Sequence, residues 1–428
     1  MKYINSLDFA KDTDSKDPLK KFRKKFLFPK HGSKEVLYFT GNSLGLQPAS
    51  VGKYLQAELD NWAKYGVDAH FEGHSWYSYH EMFAAPLAKL VGAKQEEVIA
   101  MNQLTVNLHL MMVSFYRPDK KRFKIICESN AFPSDQYALQ THVQSHGLDP
   151  KKVLIEIGPR KGEYLLREED ILKAIKDNAD ELALVIIGGV NYLTGQLLNM
   201  PAITRAAHAV GAYAGFDLAH AMGNVELKLH DWNVDFAVWC TYKYLNSGPG
   251  AVAGAFIHER HIKNQKLPRF AGWWAYDKKT RFQMNHDFVP MQTAEGWQLS
   301  NAPVLSMAAH KAALDVFTEA GGISPLIKKS KALTGYMEFI IAGLNNKMAG
   351  KNIQLEIITP SDPMQRGCQL SIIAHGMGRD FYNALTKSGV FCDWRNPNVV
   401  RVAPVPLYNS FEDVWRFGQA IEKTLHLK

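Results

Sequence analysis

LALVIIGGVNYLTGQLLNMPAITRAAHAVGAYAGFD, residues Leu182 to Asp217, opens with nine apolar or glycine residues and closes on the shorter apolar run AYAGFD. Between them, Pro201 to Val210 repeats its apolar positions at helical spacing, with Pro201 at the expected helix start. Strand, helix, strand with a crossover of this length is a parallel unit. The same alternation extends both ways. FKIICE (Phe123 to Glu128) precedes a helical Ser134 to His146, and VLIEI (Val153 to Ile157) precedes Glu168 to Asn178. FAVWC (Phe236 to Cys240) and AVAGAFI (Ala251 to Ile257) add two further strands. The expected core is therefore an α/β sheet, mainly parallel and covered on both faces.

Past Asn301 the pattern changes. Helices are expected over Pro303 to Ala320 and Ser324 to Lys347, followed by strands at Ile353–Ile358, Cys368–Ala374 and Val399–Val402. A helix near Arg379–Lys387 interrupts them, and an amphipathic helix from Ser410 to about Leu425 ends the chain. The organisation expected is residues 1–50 as an N-terminal segment, 51–302 as a large domain, and 303–428 as a linking helix and small α+β domain. VLYFT (Val36 to Thr40) is expected to pack with the small domain.

The 428 residues are 46% hydrophobic, enough for a large core. The net charge of +8 is concentrated in LKKFRKKF (Leu19 to Phe26), whereas a nucleic-acid groove would need basic residues spread along it with interleaved aromatics. It is read as a solvated helix face, so no nucleic-acid partner is expected. The four cysteines form no CxxC pair, which favours a reducing compartment and neither a disulfide framework nor a metal site. No apolar stretch reaches the ~18 residues of a membrane span, and MKYINSLDFAKDTDSKD is too charged for a signal peptide. A cytoplasmic protein is expected.

Ligands of open parallel sheets bind beyond the carboxyl ends of the strands. Asp135, Asn191, Asp217, His220 and Lys243 all follow such ends. Asp217 and Lys243 admit two readings, a structural ion pair or a pyridoxal-phosphate site. In the second, a lysine forms an imine and a carboxylate pairs with the ring nitrogen. QLTVN (Gln103 to Asn107) precedes an apolar helix, so Thr105 is either a phosphate ligand or a plain N-cap. Phe132 is either a stacking partner for a planar cofactor or core packing.

The stretch DLAHAMGNVELKLHDWNVDFAVWCTYKYLNSGPG (Asp217 to Gly250) closely resembles the kynureninases, fold-type I pyridoxal-phosphate enzymes related to class V aminotransferases. GNSLGLQP (Gly41 to Pro48), LTVNLHLMMVSFY (Leu104 to Tyr116), AFPSDQYA (Ala131 to Ala138), LSNAP and RNPNVVRVAPVPLYNS carry the same resemblance. It implies a fold-type I large domain with a seven-stranded sheet, and hydrolysis of L-kynurenine or its 3-hydroxy derivative to the anthranilate and L-alanine. Lys243 is implied to hold the cofactor and Asp217 to pair with the pyridine nitrogen, with His220 adjacent. Leu104, Thr105, Phe132, Pro133, Ser134, Asp135 and Gly188 are implied to surround it. Tyr242 is implied at the phosphate, and it is also the leading candidate for proton donor to the substrate carbonyl. Trp273 and Asn301 are implied to come from the other subunit of a homodimer, and Arg401 to clamp the substrate carboxylate bidentately. His70 or His74, with Asn301, is implied to face the substrate ring. Ser300 and Asn301 are placed to accept a ring hydroxyl, which favours acceptance of both substrates. Gly188 stands where other members can carry a serine. The alternatives are another fold-type I enzyme, a cysteine desulfurase with a mobile nucleophilic cysteine or an aminotransferase, and a basic non-enzymatic scaffold.

Overall fold

The apolar runs become strands whose side chains alternate between two cores. Ile126, Val185, Ile187, Phe216, Ala237 and Trp239 face one core. Ile125, Cys127, Leu184, Ile186, Phe236 and Val238 face the other. Period-two alternation with both faces apolar requires cover on both sides, which the crossover helices provide. The computed structural model describes residues 2–71, 76–264 and 266–426. Its large sheet has seven strands in the order Val98–Ala100, Gly254–Ile257, Phe236–Trp239, Tyr213–Asp217, Leu182–Gly188, Lys124–Glu128, Leu154–Ile157.

All neighbours from Phe236–Trp239 to Leu154–Ile157 are parallel, whereas Gly254–Ile257 runs antiparallel to both strands beside it. The reason is the connection. Residues 240–253 contain no helix, so the chain cannot cross over and returns directly along its neighbour. The expected strand over Ala251–Ile257 is shorter than the sequence suggests, and the edge strand Val98–Ala100 was not anticipated. The Met200–Ala209 helix starts one residue before Pro201, because Asn199 caps it by accepting from the Ala202 N–H at 3.2 Å.

A four-stranded antiparallel sheet, Gln354–Ile357, Leu370–His375, Val399–Val402, Asp393–Arg395, forms the second layer system. Helices Ile323–Lys347 and Phe411–Thr424 pack with it through Leu333, Met337, Ile340, Val414, Phe417 and Ile421. The N-terminal segment is tied to this part of the chain. Leu37–Tyr38 pairs with Val390–Phe391, and Asp14 accepts from the N–H groups of Phe411 and Glu412 at 2.8 and 3.0 Å, neutralising the helix start. LKKFRKKF is a short 3-10 turn, Lys20–Lys25, that buries Phe22 while Arg23 pairs with Asp413 at 2.6 Å. Among the described residues, no helix is long and apolar enough to cross a membrane.

Candidate active site

Three adjacent parallel strands end in Glu128, Gly188 and Asp217. The next strand, Phe236–Trp239, leads into the turn that carries Tyr242 and Lys243. These residues line one cavity together with Leu104, Thr105, Phe132, Ser134, Asp135 and His220. Val190, Tyr192 and Ala219 complete the lining. A wider cleft of about 580 Å³, bordered by Leu198, Trp232 and Met364, lies elsewhere and includes none of the sequence-predicted site residues.

The Lys243 turn is held from outside by the GNSLG loop. The Gly45 N–H donates to the Tyr242 carbonyl at 2.8 Å, and a Cβ on Gly45 would stand 2.3 Å from the Lys243 carbonyl oxygen. Only glycine permits that approach. Lys243 Nζ lies 5.8 Å from the centroid of the Phe132 ring and 5.7 Å from that of Tyr242. Phe132 itself stands edge-on to Tyr192, with ring centroids 5.5 Å apart, and is more than a third exposed rather than core. Asp217 accepts from the Ala219 N–H at 2.6 Å, and among the described residues no ion pair joins it to Lys243. The structural ion-pair reading therefore fails. Thr105 is not an N-cap either: Gln103 occupies that position without a side-chain bond, which leaves the first turn of Leu104–Phe115 without a side-chain cap. Pro133 is absent from the lining and opens the Pro133–Ser145 helix as its first residue.

Electrostatics divide the site into distinct roles. Burial, with the charges of Lys243, Arg401 and Arg395, holds the His220 imidazole well below its ordinary range, so it is neutral. Its Nδ1 has no partner. Burial and then the negative charge of Asp217 raise Asp135 well above the carboxylate range, and the same two causes push Glu128 up to about 8. Burial also raises the Tyr242 phenol, reinforced by Cys240, so it is a proton donor and a poor base near neutrality. Glu128 did not figure among the candidates. A glutamate closing an apolar strand reads as part of that strand, and its place at the carboxyl end is the available signal.

Four predicted residues are not among those lining this cavity. Arg401 is buried in the Val399–Val402 strand directly opposite Asp393. Its Nη2 donates to Asp393 and to Ser43, its Nη1 to the Tyr192 carbonyl at 2.5 Å, and only Nε lacks a partner. The open bidentate fork expected from the sequence is thus already engaged. His70 packs against Trp76 and Tyr77, at centroid distances of 5.3 and 5.1 Å, and its Nδ1 lies 3.0 Å from the Val67 carbonyl. Tyr77 stacks on Trp274, and Trp273 contacts Trp274 and Phe282, so His70 and Trp273 share one aromatic cluster. Asn301 is exposed, as is Trp273. His74 lies outside the described residues.

The chain is similar to known proteins over nearly all of its length. A family profile described as "Kynureninase C-terminal domain" matches residues 326–421. The kynureninase of Flavobacterium psychrophilum is 53% identical over 99% of each chain, and that of Nematostella vectensis is 48% identical over 97% of this chain and 93% of its own. Among solved structures, a cysteine desulfurase from Thermococcus onnurineus superposes with a TM-score of 0.72 at 19% identity, covering 91% of this chain and 94% of that one. A cysteine desulfurase from Escherichia coli gives 0.75 at 15% identity, covering 96% and 99%. At such identities these structures establish the shared fold alone, that of the fold-type I enzymes. Agreement along the whole sequence is what decides the family: this chain belongs to the kynureninases.

Proposed function

We propose that this protein uses pyridoxal phosphate to hydrolyse the Cβ–Cγ bond of L-kynurenine, or of 3-hydroxy-L-kynurenine, giving the anthranilate and L-alanine. The observation that carries this reading is the single cavity joining Lys243 to Asp217, His220 and Phe132, in a chain about half identical to kynureninases. The cavity suits the cofactor. It offers an amine, a carboxylate at a strand end, a ring face on Phe132 and a helix start without a side-chain cap, and it contains two buried polar atoms without partners, Glu128 Oε1 and His220 Nδ1. When bound, pyridoxal phosphate supplies an electron sink for negative charge developing on an attached amino acid.

In this reading Lys243 would hold the cofactor through its amine and would carry protons at the substrate Cα. Asp217 would pair with the ring nitrogen, neutral His220 would lie beside it, and Phe132 would offer its ring as a stacking face. The first turn of Leu104–Phe115, with Thr105, and the hydroxyls of Ser134 and Tyr242 would hold the phosphate. Hydrolysis adds water across Cβ–Cγ. Hydroxide ends on the γ-carbonyl carbon, the electron pair of the broken bond stays on Cβ, and a proton joins it there. The Tyr242 phenol, protonated at neutral pH, donates to the carbonyl oxygen as charge develops. Arg401 receives the substrate carboxylate through Nε, with Nη2 shared with Asp393.

The homodimer belongs to the same proposal. Phe270, Trp273, Phe282, Met284, Phe288 and Val289 form an exposed apolar stretch, and Val67 and Phe71 are exposed beside His70. Burying this surface against a second copy would bring His70, Trp273 and Asn301 to the neighbour's cavity. The desulfurase reading lacks its nucleophile: all four cysteines are buried, and burial pushes the Cys368 thiol up to about 12. The test is to load the purified protein with pyridoxal phosphate and follow kynurenine and 3-hydroxykynurenine. Stoichiometric alanine and anthranilate are expected. Sulfide release from cysteine without kynurenine cleavage would reject the assignment.

A further inference from the structure

Glu128, Gly188 and Asp217 end three neighbouring strands, and the middle residue has no side chain. The Glu128 carboxyl occupies the space that a side chain at Gly188 would face. A Cβ built on Gly188 lies 3.5 and 3.6 Å from the two carboxyl oxygens of Glu128. Glu128 is only 6% exposed, and its Oε1 has no hydrogen-bond partner. The Gly188 backbone lies against this carboxyl, and the negative charge of Asp217 acts on it from the strand beyond. A buried carboxyl with one oxygen unsatisfied and an anion as neighbour is not a structural necessity: glutamine would fill the same volume without the charge.

We propose that Glu128 is a positioning residue of the cofactor site, a carboxylic acid that is neutral beside Asp217 at low pH and adds a second negative charge there when it loses its proton. The idea rests on the pyridoxal-phosphate reading above. The groups facing the cavity around it are Asp217 and His220 beyond the Tyr213–Asp217 strand, Asp135 from the Pro133–Ser145 helix, and Tyr242 and Lys243 from the turn after Trp239. Cys127 precedes it on its own strand. Of these, Lys243 alone supplies positive charge, since His220 is held neutral. Gly188 is integral to the arrangement, because a serine there would bring a hydroxyl to the unsatisfied oxygen.

The sign of the pH effect follows from linkage. A carboxyl raised in the folded state binds its proton more tightly there than in the unfolded chain, so its contribution is present at low pH and is lost as pH rises toward about 8. Glu128→Gln removes that dependence. For the apoprotein, the denaturation midpoint of Glu128→Gln relative to the natural chain should climb between about pH 5 and about pH 8, then level off. For pyridoxal phosphate titrated into apoprotein, the ratio of variant to natural dissociation constants should rise about tenfold from about pH 6.5 to about pH 9, the equivalent of one pKa unit. Gly188→Ser, which offers the carboxylate a donor, should move both breaks to lower pH. If Glu128→Gln does not fold, Gly188→Ser decides the matter by its own midpoint and dissociation constant, each measured against the natural chain across the same pH range. Differences flat with pH in both measurements, or breaks unmoved by Gly188→Ser where that variant alone folds, would overturn the proposal. Failure of the functional reading looks different, because the natural protein would then bind no pyridoxal phosphate while the apoprotein stability arm still reports on Glu128.

Discussion

Lys243 and Tyr242 are consecutive residues with separable expected losses. Lys243→Ala should abolish the visible imine band of the loaded protein and lower kcat by more than about 10³-fold, because both the attachment point and the proton carrier go. Retained kynurenine cleavage in that variant would refute the assignment. Tyr242→Phe keeps the ring beside Lys243 and removes only the hydroxyl. If the phenol is the donor to the substrate carbonyl, kcat should fall about 10²-fold or more with cofactor loading preserved. If it serves the phosphate alone, the cofactor dissociation constant rises and kcat at saturation holds. Comparing saturated kcat with cofactor affinity separates the two roles.

At the scale of elements, the GNSLG loop and the Lys243 turn act as one unit. A methyl on Gly45 would lie 2.3 Å from the Lys243 carbonyl oxygen and 2.8 Å from the Asn246 Cα, both backbone atoms with nowhere to move cheaply. Gly45→Ala should therefore displace the lysine turn, costing about 1–3 kcal/mol of stability and weakening cofactor loading more than it disturbs the sheet. Thermal denaturation and a pyridoxal-phosphate titration would show this, and unchanged loading would mean that the loop does not position Lys243. The alternation of apolar runs and helical spacing made the parallel strands legible, since both faces of the inner strands are buried. The reversal at Gly254–Ile257 was not legible, because direction depends on the absence of a crossover helix and not on the strand's composition. Val98–Ala100 is too short to register as a period, and its place at the sheet edge comes from pairing with a strand more than 150 residues away. Residues at strand ends were readable as candidates when they looked out of place, as Lys243 did. Glu128 did not, and Arg401 could be located without its engagement by Asp393, which only the small sheet's register creates.

For the whole molecule, the absence of His70, Trp273 and Asn301 from the lining of the Lys243 cavity is what the proposed second copy would answer. Within one chain, His70 and Trp273 lie in an aromatic cluster around Tyr77 and Trp274, beside exposed Phe270, Phe282 and Met284. A two-fold axis through that surface would give each site its lysine from one chain and its Trp273 from the other. The consequence is complementation. Lys243→Ala and Trp273→Ala should each impair the homodimer, and Lys243→Ala should inactivate it. In a mixed dimer, one site combines the lysine-bearing cavity of the tryptophan variant with the intact Trp273 of the lysine variant. Half the dimers from an equal mixture are mixed, and each has one complete site of two, so co-folding the two variants should restore about a quarter of the natural activity above what the Trp273→Ala subunits retain. If Trp273 instead served its own chain's cavity, every site in every combination would lack one of the two residues. Activity would then never exceed that of the Trp273→Ala subunits alone, whatever the mixing ratio.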